Sequence, residues 1–105
     1  MTLTTLLAAL AVQAGPMDAL VENALQISAG DVTYHTYFES DGTYTTDIGI
    51  SGTWQVQGSE ICVVRSTGES GCAPLQDGVA LGDTWQGTNA ATGETVTYTI
   101  VPRES

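Results

Sequence analysis

The 105-residue chain has no lysine, two arginines and one histidine, against 12 acidic residues, for a net charge of −10. So few cations cannot neutralise a row of phosphates, which argues against nucleic-acid binding. Attachment to an anionic membrane surface is disfavoured for the same reason. The carboxylates are scattered and form no run, so they read as a solvated surface; attraction to a cationic partner is the sharper alternative. Cysteine is scarce too: Cys62 and Cys72 stand ten positions apart, which is neither a C-x-x-C redox pair nor a zinc spacing. No apolar stretch approaches the roughly 20 residues of a membrane-spanning helix. A G-x-S-x-G elbow is absent, and Gly49-Ile50-Ser51-Gly52 has neither the lysine nor the following helix of a phosphate loop. These absences point away from an enzyme, and no cofactor or resident metal is expected.

What is present begins with an apolar run, Leu3 to Val12, followed by Val12-Gln13-Ala14, the small-x-small form of a signal peptidase site. Residues 1–14 therefore read as a signal peptide, with Gly15-Pro16 opening the mature chain, although the segment carries no lysine or arginine. The competing reading is a buried N-terminal helix or strand. Export places the protein in the periplasm or outside the cell, where a Cys62–Cys72 disulfide persists; two free buried thiols are the alternative for a cytosolic chain.

The mature chain has room for one domain of modest core. Over 15–30, Met17, Leu20, Val21, Ala24 and Leu25 repeat at helical spacing. Pro16 and Asp18 suit the start and Gly30 the stop, which predicts an N-terminal helix. From residue 31 to 105 the period changes to two. Val32, Tyr34, Thr36 and Phe38 share a face, Asp41-Gly42 marks a hairpin, and the return strand is expected over Thr43 to Ile50. Further runs cover Gly52 to Val56, Ile61 to Arg65, Cys72 to Leu75, a strand starting at Thr84-Trp85-Gln86, and Thr95 to Val101, with turn signals at Gly58-Ser59, Asp77-Gly78, Gly82-Asp83 and Asn89 to Gly93. The expected fold is mainly β: a small antiparallel meander of about six to eight strands, barrel or sandwich, with one short helix. No connection is long enough for the crossover of a parallel pair.

Chemistry-bearing residues are few. His35 stands on a strand without a nucleophile signature beside it and reads as structural or exposed. Glu39, Asp41 and Asp47 fall near the first hairpin, but their spacing does not fit an EF-hand loop, and Asp41 is explained by the turn itself. The aromatic residues are the more suggestive set. Trp54, Trp85, Tyr98 and Tyr44 all fall in predicted strands, either filling the interior or lining a ligand mouth, since tryptophan and tyrosine combine apolar area with a polar handle.

Tyr37-Phe38-Glu39-Ser40-Asp41-Gly42-Thr43, Gly52-Thr53-Trp54-Gln55-Val56-Gln57-Gly58, Cys62, Cys72 and Thr99-Ile100-Val101-Pro102 form an ordered pattern. It resembles a group of small secreted proteins of uncharacterised function from Gram-negative bacteria, mainly alphaproteobacteria, over roughly residues 20–102. That resemblance implies location and fold, and no activity. The Gly52-Thr53-Trp54 unit also resembles the G-x-W of lipocalin-like, avidin-like and bacterial metalloprotease-inhibitor barrels. In those families a C-terminal arginine packs on the tryptophan, which implies a cation–π contact between Arg103 and Trp54.

The functional expectation is a non-enzymatic, exported binding module of the cell envelope, monomeric or a weak dimer, recognising a small molecule or an exported protein through Trp54, Trp85, Tyr98 and Tyr44. An inhibitor of an exported enzyme and a structural or stress-related envelope protein without a discrete ligand are the alternatives.

Overall fold

Alternating apolar and polar residues cannot bury one face as a helix, but they do so as strands whose side chains point to opposite sides. A computed structural model describes residues 17–76 and 78–103 of the chain; the segment 1–14, read from the sequence as a signal peptide, and Asp77 lie outside the described residues. The elements are α1 (Asp18–Glu22), β1 (Ala24–Ala29), β2 (Val32–Phe38), β3 (Thr43–Thr46), β4 (Ser51–Gln57), β5 (Glu60–Arg65), β6 (Ser70–Pro74), β7 (Thr84–Thr88) and β8 (Thr95–Val101).

The strands form one sheet in the order β6-β5-β4-β3-β2-β1-β8-β7, with every neighbouring pair antiparallel. Each strand from β1 to β5 pairs with its successor, and β1 also pairs with β8, which in turn pairs with β7, so the sheet curls into a nearly closed barrel. The one missing ladder is between β6 and β7. Beside that gap Gly71 of β6 closely approaches the loop that follows β7: a Cβ on Gly71 would lie 2.3 Å from the Ala90 carbonyl oxygen. Directly across the β5–β6 ladder, Cys62 pairs with Cys72, and the two form a disulfide.

The helix expected over 15–30 is corrected. It ends at Glu22, and Ala24–Ala29 is a strand. Leu25 and Ile27 satisfy both periods, and the ladders decide between them. As a strand, β1 pairs on both edges, Leu25 with Thr36 and Ile100, Ile27 with Tyr34 and Tyr98. A short isolated helix offers no comparable gain, because helix nucleation is unfavourable. Asn23 marks the switch: its backbone is extended, and its side-chain Nδ2 donates to the Ala19 carbonyl at 3.0 Å. The return strand expected to reach Ile50 also stops early, at Thr46. The Thr46 hydroxyl donates to the Ile50 carbonyl at 2.8 Å and accepts its N–H at 2.9 Å. That pinches a turn in which Gly49 takes φ 86° and Ile48 faces solvent.

The interior contains Leu25, Ile27, Tyr34, Phe38, Tyr44, Val63, Val96 and Ile100, with Met17 and Leu20 added from the helix end. Ile100 is fully buried, which is worth about 1.5–3 kcal/mol for a side chain of its size. Up-and-down topology sorts the connections into two ends. α1, the turn 39–42, the loop 75–83 and the C-terminal residues share one end; the turns 47–50 and 66–69 and the loop 89–94 share the other.

Candidate functional site

The helix end is locked by Arg103. Its Nη1 donates to the carbonyls of Val21 (2.8 Å) and Phe38 (3.1 Å), its Nη2 is paired with the Glu39 carboxylate, and its guanidinium lies 5.5 Å from the Tyr37 ring centroid. The cation–π partner is thus Tyr37, where the resemblance implied Trp54. Trp54 is occupied nearby. Its Nε1 donates to the Glu39 and Thr43 carbonyls at 3.0 and 3.1 Å, and its ring stands edge-on to Phe38 at 6.1 Å. Trp54 is a half-buried packing residue of the hairpin and does not line the cavity described below.

Inside the barrel is a cavity of ≈ 80 Å³, mostly apolar in its lining. Trp85, Tyr98 and Tyr44 line it, so three of the four aromatic residues singled out by sequence converge there and Trp54 does not. Trp85 and Tyr98 face each other across the β7–β8 ladder with ring centroids 5.5 Å apart. Burial pushes the Tyr98 phenol up to about 12, and its hydroxyl donates to the Thr88 carbonyl. Gly52 makes room for Tyr44. A Cβ there would lie 2.9 Å from the Tyr44 ring and 2.2 Å from the Val64 carbonyl oxygen. The glycine of the G-x-W unit therefore serves a close approach across the β3–β4 ladder.

Four polar side chains interrupt the apolar lining toward the end opposite α1. Asn89 is buried and donates to the Tyr34 hydroxyl at 3.2 Å. Thr36 is only 4% exposed, and its hydroxyl makes no hydrogen bond among the described residues. Arg65 and Thr46 complete the set, both half-buried. Burial raises the Tyr44 phenol above its ordinary value, and the Arg65 guanidinium beside it pulls the other way.

Strand alternation predicts that Arg65 shares the inward face of Ile61 and Val63, yet the charge alone gave no reason to single it out. Thr36 lay in plain view on the Tyr34–Phe38 face but carries no motif. The three carboxylates near the first hairpin are used separately. Glu39 pairs with Arg103, Asp41 accepts from the N–H and hydroxyl of Thr43, and Asp47 bonds to His35. Among the described residues no group of three or more histidine, cysteine or carboxylate side chains is arranged to hold a metal ion, and no helix is long and apolar enough to cross a membrane.

Compared with known protein families, curated proteins and solved structures, the chain matches none.

Proposed function

We propose that the protein is a non-enzymatic binding module of the cell envelope, exported to the periplasm or beyond, that takes a small molecule inside its barrel. One observation carries this reading. The interior holds a mostly apolar cavity that Leu20 of α1 lines at one end, with Asn89, Thr46 and Arg65 set into its lining toward the other. Apolar walls with a few convergent polar groups are the usual composition of a small-molecule site. The volume limits the occupant. At about 30 Å³ per water, the cavity takes two or three water molecules or an organic group of similar size, well below the roughly 300–1,000 Å³ of sites for drug-sized ligands. The disulfide fits an extracytoplasmic location.

Native mass spectrometry of the protein purified from periplasm without reduction tests the proposal. The expected result is a chain without residues 1–14, lighter than the reduced form by two hydrogens, retaining a small bound mass that collisional activation removes. A full-length chain with free thiols and no retained mass sinks it.

A further inference from the structure

Arg65 is a half-buried cation at the lining of a mostly apolar cavity, with the Tyr44 phenol as its side-chain neighbour. Moving a guanidinium from water toward an apolar interior is unfavourable unless a partner compensates it. Of the chain's two cations, Arg103 has a carboxylate, two carbonyls and a ring around it. Arg65 lines the cavity, and among the described residues it has no carboxylate within ion-pair distance. Glu69 is the nearest candidate. Its side chain instead accepts from the Thr67 hydroxyl, which contributes most to holding its carboxyl below the ordinary range, with the Arg65 charge a weaker contribution. The same stretch of lining holds the Tyr44 phenol beside Arg65 and the buried Thr36 hydroxyl, which lacks a partner among the described residues. Thr36 sits opposite Thr46 in the β2–β3 ladder, Tyr44 opposite Gly52, and Gly52 opposite Arg65, so these groups step across four adjacent strands.

All three groups can donate hydrogen bonds, and the guanidinium fork matches a carboxylate in shape and charge. Beyond them the lining is mostly apolar, and a cavity of ≈ 80 Å³ restricts an occupant to a short tail.

We infer that the cavity is a site for a short-chain aliphatic monocarboxylate, its carboxylate held by Arg65 and Tyr44 and its alkyl tail directed into the barrel. The assignment rests on the proposed binding-module reading and names its ligand class. The net charge of −10 repels anions at long range, so selection is made by the local fork and by tail length, not by steering. The small volume disfavours longer chains, and dicarboxylates would place a second charge against apolar walls.

The test compares sodium butyrate with butyramide, which has the same length and no charge, at matched ionic strength on the full chain labelled with nitrogen-15. Amide shifts of Thr36, Tyr44 and Arg65 are followed to saturation. The expected result is saturable shifts at those residues, with butyrate tighter than butyramide by about tenfold or more, the ratio that one charge-assisted interaction supplies. Arg65→Gln should reduce butyrate to the level of butyramide, and Arg65→Lys should fall between. The probe comparison on the unaltered protein decides the question even if a variant fails to fold. Equal affinity for the two probes, or butyrate affinity unchanged in Arg65→Gln, overturns the carboxylate assignment and leaves the binding cavity standing. No saturable shift at the cavity residues with either probe overturns both.

Discussion

His35 engages Asp47 twice: its backbone N–H donates to Oδ1 at 3.0 Å, and its Nδ1 lies 2.8 Å from Oδ2. The pair joins β2 to the turn that follows β3, on the outer surface of the barrel. The backbone hydrogen bond and then the imidazole contact hold the Asp47 carboxyl below its ordinary value. A group whose pKa is depressed by folding stabilises the native state above its unfolded value and loses that contribution as pH falls through its folded value. The contribution is thus complete well above about pH 4 and fades in acid. Melting temperatures of the native chain and Asp47→Asn should differ most near neutral pH and converge below that range. A gap that stays constant from pH 7 to pH 3 contradicts this account. Both side chains are partly exposed to solvent, so salt should narrow the gap as well.

Removing the disulfide tests the staple. With Cys62 and Cys72 both replaced by serine, the chain-entropy model predicts a loss of about 2–3 kcal/mol for a loop of this length. Chemical denaturation of the variant, and of the native chain with and without reductant, measures it. Identical midpoints in all three cases would remove the staple from the account.

Arg103→Ala should lower stability by about 1.5–3 kcal/mol, the scale of hydrogen bonds made by a charged group. Its effect should be local. Because Arg103 bonds to the Val21 and Phe38 carbonyls, hydrogen exchange should accelerate in α1 and at the end of β2 before it does so in β5 or β6. Uniform acceleration across the sheet contradicts a locking role.

Gly52→Ala should be destabilising by about 1–3 kcal/mol, the usual range for overpacking. The added methyl meets a backbone oxygen and the Tyr44 ring, and the backbone oxygen has little freedom to move. The comparison is Gly58→Ala, where the added Cβ meets nothing within 4 Å and only the positive φ of 61° opposes the side chain. If Gly52→Ala matches the control in a urea titration, the close approach to Tyr44 is not what requires glycine there.

The β-strand pattern was legible wherever one face is buried and the other wet. The Tyr34, Thr36, Phe38 face of β2 and the Val96, Ile100 face of β8 are as the alternation indicates. It failed at β1, because Leu25 and Ile27 pack on both neighbours and a helical period fits the same letters. Only the long-range ladder to β8, from the far end of the chain, decides between them. The candidate site divides in the same way. Tyr44, Trp85 and Tyr98 were visible as aromatic residues in strands, and the structure brings them to one cavity. Trp54 resembles them in sequence but is diverted to the Glu39 and Thr43 carbonyls, a contact set by hairpin geometry. Arg65 was hidden for the opposite reason: a lone arginine at the end of a run reads as surface, and its inward direction follows from register.

The gap in the ring has a consequence for how the molecule comes apart. A barrel laced all round has no loose end, but this sheet is a curled ribbon with two, β6 and β7, each holding one neighbour only. A covalent bond fastens β6 to β5. Hydrogen bonds and the Trp85–Tyr98 contact alone fasten β7 to β8. Fraying therefore starts at β7, the flap that forms one wall of the cavity, and the stapled flap stays in place while the other lifts.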